Sequence, residues 1–403
     1  MNVPKLRFKA DDGSEFPEWE EKKIGDLIEI YDEKVNSDCE LPILTSSKKY
    51  GIQYQNDHFG REQLHDISGY NVLPYGYCTY RNRSDGTDFT FNINTLCERG
   101  IVSKFYPVFT SKTTDLYVLA SLLNNEKSTV KKIAYTAKGT GQKVLSITDL
   151  QNINVRIPCV AEQEKIASFL STIDEIIQST ESELTAWQER KKGVMQKIFN
   201  REVRFKADDG SEFPEWEEKE IGKVGTFIKG AALSKADISD TGTPFVLYGE
   251  LYTTYKEIAY TIKRKTEAVV AEKYYSKIGD VVIPTSGESP EEISTATCIM
   301  VPNVILAGDL NIFRSSIIDG RIMSYILNYQ AKNKIATIAQ GKSIVHIQAK
   351  ELSKIRIKFP IDVEEQRKIA DCLSSLDDVI SQIQAELSAW KEFKKGLLQQ
   401  MFV

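Results

Sequence analysis

The chain has 403 residues, 41% of them hydrophobic and 27% charged, with 57 acidic against 52 basic side chains and a net charge of −5. That length predicts two domains, each with room for its own core. No window approaches the roughly 20 apolar residues of a membrane span, and the start, MNVPKLRFKADDG, lacks the apolar stretch of a signal peptide. Six scattered cysteines (Cys39, Cys78, Cys97, Cys159, Cys298, Cys372) contain no Cys-x-x-Cys, which predicts reduced thiols in a cytoplasm rather than a disulfide framework. The three histidines (His58, His65, His346) form no ligand-spaced cluster, so no metal site is expected.

The first element is an acidic-aromatic leader, RFKADDGSEFPEWEEK, from Arg7 to Lys22. Phe16 and Trp19 can anchor it while the carboxylates stay in water. The first middle segment follows, with the strand-like YNVLPYGYCTYRNR, the helix-like DLYVLASLLNNEKSTVKKIAY and the strand-like INVRIP. Pro158 closes that last strand, and a long helix is expected soon after it. Its apolar positions, Ile166, Leu170, Ile173, Ile177, Leu184 and Trp187, continue through Val194 and Ile198 at alternating spacings of four and three, interrupted only by Thr180 and Lys191. That spacing is a coiled-coil seam.

The leader then returns from Arg204 to Lys219, identical at all 16 positions. The second middle contains TPFVLYGEL, GDVVIPTSG and SKIRIKFP as strand candidates and RIMSYILNYQAKNKIATIA as a helix. Pro360 precedes a second long helix, whose seam holds Ile369, Leu373, Leu376, Ile380, Leu387 and Trp390. Both helices open on Glu-Gln-x-x-Ile-Ala (Glu162 to Ala167, Glu365 to Ala370). The chain is therefore a tandem duplication with a period near 200, far longer than solenoid repeats. The order of elements is shared between the middles, although their residues are not. Each helix of ~38 residues makes a rod of roughly 57 Å, and neither seam can stay in water. Each packs either on its own domain or on the other helix. The matched seams favour the second, and a pseudo-two-fold between the repeats makes the pair antiparallel.

The net charge hides a division. Residues 26–160 hold 15 basic and 15 acidic side chains, residues 223–360 hold 18 and 13, and the duplicated remainder holds 19 and 29. The variable middles are thus far more basic than the scaffold. They also carry polar, Gly-containing stretches in which Lys and Arg could hold phosphates and amides, hydroxyls and guanidiniums could read base edges. The DNA-binding candidates are Ser46, Lys48, Lys49 and Tyr50; Arg81, Asn82 and Arg83; and Lys138, Thr140, Gln142 and Lys143. In the second middle they are Tyr248, Thr253, Thr254, Tyr255 and Lys256; Thr285 and Ser286; and Gln340, Lys342, Ser343 and His346. Arg81-Asn82-Arg83 is the best cluster, because two guanidiniums flank an amide.

Catalytic motifs are missing. Gly341-Lys342-Ser343 supplies only the tail of a phosphate-binding loop and reads as a turn. No Gly-x-Gly-x-x-Gly, His-Glu-x-x-His or Gly-x-Ser-x-Gly occurs, nor any Pro-Pro of an amino-methyltransferase motif.

Over essentially its whole length the chain resembles the specificity subunit of type I restriction-modification systems. The resemblance is carried by the two Pro-Glu-Trp leaders running into Ile-Gly (Pro17 to Gly25, Pro214 to Gly222), the strand-ending Pro158 and Pro360, and the two Glu-Gln-x-x-Ile-Ala helix starts. TPFVLYGELYT and KIGDVVIPTSG are similar to the family's target-recognition domains. The first middle departs from them, with LPYGYCTYRNR where a Gly-Asp turn before a strand is usual.

The resemblance implies a mixed α/β fold. Two globular target-recognition domains are separated by a long antiparallel two-helix coiled coil, as a pseudo-two-fold tandem repeat. Residues 1–160 and 201–361 would be the recognition domains, and 161–200 and 362–403 the conserved spacer helices. Each domain would read one half of a bipartite site in double-stranded DNA. Two modification subunits would dock on the scaffold and methylate adenine N6 with S-adenosylmethionine. Two restriction subunits would add ATP- and Mg-dependent cleavage. The chain itself would be non-catalytic, bind no cofactor and contact no membrane. The alternatives are a self-sufficient DNA methyltransferase or nuclease, and a coiled-coil scaffold whose middles bind protein or sugar.

Overall fold

A computed structural model describes residues 4–60, 66–339, 341 and 345–402. The chain divides into two compact units, one of residues 1–182 with 384–403 and the other of residues 183–383. Each unit holds one α/β domain together with parts of both long helices.

In the first unit the leader ends in β1 (Glu20–Lys23), followed by β2 (Ile28–Tyr31), β3 (Cys78–Tyr80), β4 (Phe91–Ile93) and β5 (Val108–Ser111). Strands β2, β5, β3 and β4 form an antiparallel sheet in that order. Helices α1 (Leu116–Asn125) and α2 (Lys127–Thr136) cover it, and β6 (Asn154–Ile157) pairs antiparallel with β1. The long helix α3 spans Val160–Phe199. The core gathers alternate strand residues (Cys78, Tyr80, Phe109) and one face of α1 (Val118, Leu119, Leu122, Leu123), the periodicities expected of a half-buried sheet and a covering helix.

The second unit repeats the plan. Its leader ends in β7 (Glu217–Glu220), and β8 (Thr226–Lys229), β9 (Asp280–Pro284), β10 (Thr297–Ile299) and β11 (Leu310–Arg314) form a sheet in the order β8, β11, β9, β10. A short strand, Ile258–Ala259, adds to β10 in parallel. Helices α4 (Gly320–Tyr325) and α5 (Lys332–Ile338) follow, then β12 (Arg356–Phe359) against β7, and α6 (Val363–Met401).

Two expectations are revised. The stretch DLYVLASLLNNEKSTVKKIAY is two helices, because Glu126 between them is extended (φ −71°, ψ 114°) and caps α2, accepting hydrogen bonds from the amides of Ser128 (3.1 Å) and Thr129 (2.6 Å). Its counterpart RIMSYILNYQAKNKIATIA is likewise not one α-helix, since a π-helical turn over Ile326–Gln330 separates α4 from α5. The departure at LPYGYCTYRNR is local. Gly76 (φ 77°) makes the left-handed turn into β3 that Gly279 (φ 89°) makes into β9. What the first unit lacks is the acid after that glycine: Asp280 is buried and paired with Arg314 at 2.9 Å.

The two long helices pack on each other and run antiparallel within each unit. In the first unit Lys391 pairs with Glu181 and Lys394 with Asp174, and Ile166, Leu170 and Ile173 share a core with Leu397, Met401 and Phe402. In the second, Met195 and Ile198 share a core with Ile369, Ala370 and Leu373. Of the twelve seam residues expected to pair, Ile166, Leu170, Ile173, Leu184, Ile369, Leu373, Ile380 and Leu387 are buried. Ile177, Trp187, Leu376 and Trp390 are half-buried. The polar interruptions are paired. Lys191 is buried and bonds Glu257 (3.0 Å) and Asp377 (2.5 Å), and the Tyr325 hydroxyl donates to the same Asp377. Lys394 repeats this with Asp174 and Tyr117.

The leader docks on the helix start beside it. Glu162, fully buried, accepts from the Arg7 guanidinium at 2.7 and 3.0 Å and from the Trp19 indole at 3.2 Å. Glu365 does the same with Arg204 and Trp216. The next residue faces the domain. Gln163 accepts from the Asp115 amide and donates to the Pro158 carbonyl, as Gln366 does with Asp319 and Pro360.

Candidate nucleic-acid interface

The central strand of each sheet ends in a short extension that pairs with the loop after the covering helices. In the first unit Arg83–Ser84 pairs antiparallel with Lys143–Val144. In the second, Ser286–Gly287 pairs with Val345–His346. The backbone is tied in the same way on both sides: Leu145 N donates to Asn82 O at 2.9 Å, and Ile347 N donates to Thr285 O at 3.0 Å. Candidates 60 residues apart are thus brought side by side in each unit.

In the first unit Ser46, Lys48, Arg81 and Arg83 line one open groove of about 560 Å³, with residues 84–90 as its other wall. Ser46 and Lys48 arrive on a hairpin of Leu44–Ser47 with Gly51–Tyr54, and Ser46 Oγ is held by Asn92 at 2.7 Å. Lys48 pairs with Asp88 across the groove. Arg81 and Arg83 form no ion pair among the described residues, although Asp85 and Asp88 line the same groove. Arg83 lies over the Phe105 ring, 4.1 Å from its centre. Gln142 reaches the same loop, donating to Asp85 at 3.0 Å.

Other candidates are placed differently. The Asn82 amide oxygen is buried with no hydrogen-bond partner among the described residues, so the flanking guanidiniums reach the groove and this oxygen does not. Lys138 is held by Asp149 at 2.8 Å. Hydrogen bonds from Lys138 foremost, and from Ser146, hold that carboxyl below its usual range. Lys49 and Tyr50 stack on each other at the exposed hairpin tip, and Thr140 is exposed in the loop before Lys143.

In the second unit Thr285 and Ser286 follow β9, and Ser286 Oγ lies 3.0 Å from His346 Nδ1 and 3.4 Å from Asp309 Oδ2. Tyr248, Thr253 and Thr254 lie on or beside the helical turn Glu250–Thr253. That turn is anchored here by Tyr252, whose hydroxyl donates to the Ser286 carbonyl at 2.9 Å. Burial pushes the Tyr252 hydroxyl above its ordinary range, keeping it a neutral donor. The Tyr255 hydroxyl accepts from the Lys263 amide. Lys256 lines a separate groove with Lys191, Lys192 and Asp377 against the long helices. Gln340, Lys342, Ser343 and His65 lie outside the described residues. Sequence reasoning missed Phe105, Tyr252 and Asp309. Each meets its partner from 22 to 34 residues away, and no local pattern marks such a contact.

Among the described residues no group of three or more His, Cys, Asp or Glu is placed to hold a metal, and no helix is long and apolar enough to cross a membrane.

Each unit repeats one α/β frame and carries divergent side chains at the end of its central strand, the mark of a duplicated DNA-specificity fold. The profile of the type I restriction modification DNA specificity domain matches residues 17–186 and again 214–389, and the chain belongs to that family. It is 28% identical over 300 residues to the putative type I restriction enzyme MjaX specificity subunit of Methanocaldococcus jannaschii, covering 70% of this chain and 66% of that protein. The MjaVIII specificity subunit of the same organism is 25% identical over 308 residues, covering 70% and 68%. The chain thus spans about two thirds of the length of these relatives. The fold is shared with the S subunit of a type I restriction-modification system from M. genitalium (TM-score 0.63, 14% identity, 100% of this chain and 99% of that one). It is also shared with a chain from a structural study of type I R-M complex assembly (TM-score 0.51, 16% identity, 96% and 98%).

Proposed function

We propose that this chain is the non-catalytic specificity subunit of a type I restriction-modification complex, each unit reading one half of a bipartite site in double-stranded DNA. The observation that carries this is the pair of equivalent strand ends. One backbone arrangement is built twice, and the side chains it presents share nothing. A duplicated fold that served one chemical purpose would hold those positions alike.

The remaining parts of the proposal follow from the duplication. The two copies of leader and helix present related surfaces to two copies of one modification subunit, which methylates adenine N6 with its own S-adenosylmethionine. Two restriction subunits join with ATP and Mg, and this chain binds no cofactor. The long helices set the spacer between half-sites. The basic balance of residues 223–360 (18 against 13) supports phosphate contact there. A cytoplasmic location fits a partner that must reach DNA.

The test is methylome sequencing of a methylation-free host expressing this chain with its modification partner. A new bipartite N6-methyladenine motif that depends on this chain is the expected result. An assembled complex that yields no motif would overturn the proposal.

A further inference from the structure

Three positions correspond between the units through backbone hydrogen bonds alone. Asn82 N donates to Phe105 O (2.8 Å), as Thr285 N donates to Asp309 O (2.8 Å). With the strand pairings above, Arg83 corresponds to Ser286, Val144 to His346 and Phe105 to Asp309. At three points fixed by the same backbone, one unit carries Arg, Val and Phe, and the other Ser, His and Asp.

The two sets have opposite hydrogen-bonding character. In the first unit Arg83 is the only side chain of the three that can hydrogen-bond, and the Phe105 ring holds its guanidinium 4.1 Å from its centre. A guanidinium already ordered by an aromatic face loses little further rotamer freedom on binding. Its parallel N–H groups match the two acceptors, O6 and N7, on the major-groove edge of guanine. In the second unit Asp309 is exposed, and its carboxylate accepts from Ser286, which also contacts His346. A carboxylate facing DNA is repelled by phosphates unless a cation pairs with it or a base donates to it, and Asp309, unlike Asp88 with Lys48, forms no ion pair among the described residues. The bases that donate in the major groove do so through an exocyclic amino group, N4 of cytosine or N6 of adenine.

We infer that these three positions are the equivalent specificity positions of the two units, Arg83 reading a guanine in the first half-site and Asp309 with Ser286 reading an exocyclic amino group in the second. The inference rests on the half-site reading above and adds the chemistry of the bases read.

The test uses the complex with its modification partner and duplexes in which each base pair of the methylated motif is replaced in turn. The wild-type complex gives the reference profile, and a flat profile there would overturn the half-site reading itself. Arg83→Ala should remove discrimination at one guanine, by roughly 5- to 150-fold, and leave every second-half position as selective as before. Arg83→Lys keeps the charge and loses the fork. It should give the same relaxed position with a smaller loss of overall affinity, and it decides the matter if the alanine variant does not assemble. Asp309→Asn, which keeps shape and removes the charge, should relax one cytosine or adenine position in the second half alone. A wild-type profile in these variants, or equal loss across both half-sites, would overturn the inference.

Discussion

Replacing Glu162 by Ala should destabilise the first unit more than any surface change in the leader. The carboxylate is fully buried and holds three donors: the Arg7 guanidinium twice, at 2.7 and 3.0 Å, and the Trp19 indole at 3.2 Å. Arg7 itself keeps only 14% of its side-chain exposure, so the substitution leaves a largely desolvated cation with only the carbonyls of Phe16 and Pro17 and the exposed Glu18, 3.9 Å away. Removing one member of a buried pair costs up to about 3–5 kcal/mol, because the remaining charge loses its strongest partner. For a unit of about 200 residues that corresponds to a fall in melting temperature of roughly 6–20 °C. Scanning calorimetry and circular dichroism would read it. Glu365→Ala should act in the same direction on the second unit through Arg204 and Trp216, and somewhat less, because Arg204 keeps Glu215 at 3.3 Å. Exposed acids of the same leader, such as Glu15 paired with Lys9, should shift melting by no more than about 1 kcal/mol when replaced. If Glu162→Ala melts like Glu15→Ala, the leader is not held by this ion pair and the argument fails.

The two lysines in the helix seam should differ. Lys191→Met leaves Asp377 and Glu257 buried without a countercharge and should cost about 3–5 kcal/mol. Lys394→Met, where the ion pair is more exposed, should cost clearly less in the same denaturant titration; equal costs would contradict the burial argument. The Glu126 cap gives a pH signature. Burial alone would raise its carboxyl, but hydrogen bonds from Thr129 and Ser128 outweigh this and hold it below the usual range. Its stabilisation is therefore present above the ordinary Glu value of about 4.3 and is lost as pH falls through the depressed folded value. Glu126→Ala should lie about 0.5–2 kcal/mol below wild type at neutral pH, and the gap should close in acid; a gap independent of pH would exclude the ionised cap. Inserting seven residues into each long helix, in register, adds about 10.5 Å of helix. It should lengthen the preferred DNA spacer by about three base pairs, and an unchanged methylated motif would count against the helices as spacers.

The helix seams were legible in the sequence because period alone defines them. Leu170 and Leu373 sit where the four-three spacing puts them, and both are fully buried. The paired roles of Lys191 and Lys394 were not legible, since a lysine at a seam position looks like a defect until Asp377 and Asp174 are brought to it. INVRIP, GDVVIPTSG and SKIRIKFP hold strands with small differences of extent, whereas YNVLPYGYCTYRNR is split by the Gly76 turn into Asn71–Pro74 and Cys78–Tyr80, with Arg83–Ser84 beyond, each in a different sheet. The two middle helices were each read as one because Glu126 and the π-helical turn at Ile326 break them without Pro or Gly. The candidate site was half legible. Arg81, Asn82 and Arg83 stood out as two guanidiniums flanking an amide; both arginines line the groove, and the Asn82 amide oxygen is buried. Phe105, Asp309 and Tyr252 could not be found, because a long-range contact leaves no spacing to read.

The two residues that open each long helix explain how a duplicated frame tolerates unrelated middles. Glu162 and Glu365 reach only into the leader, which is identical in both copies, and bind it through side chains. Gln163 and Gln366 reach into the variable domain, and they bind it through backbone groups: the amides of Asp115 and Asp319, and carbonyls at Pro158, Ile317 and Pro360. A backbone carbonyl is present on every residue, and a backbone N–H on every residue but proline. These glutamine contacts therefore place no demand on the domain's side chains; the demand is confined to a few anchors such as Tyr117 on Asp174 and Tyr325 on Asp377, and Arg83 in one unit and Ser286 in the other can occupy the same place.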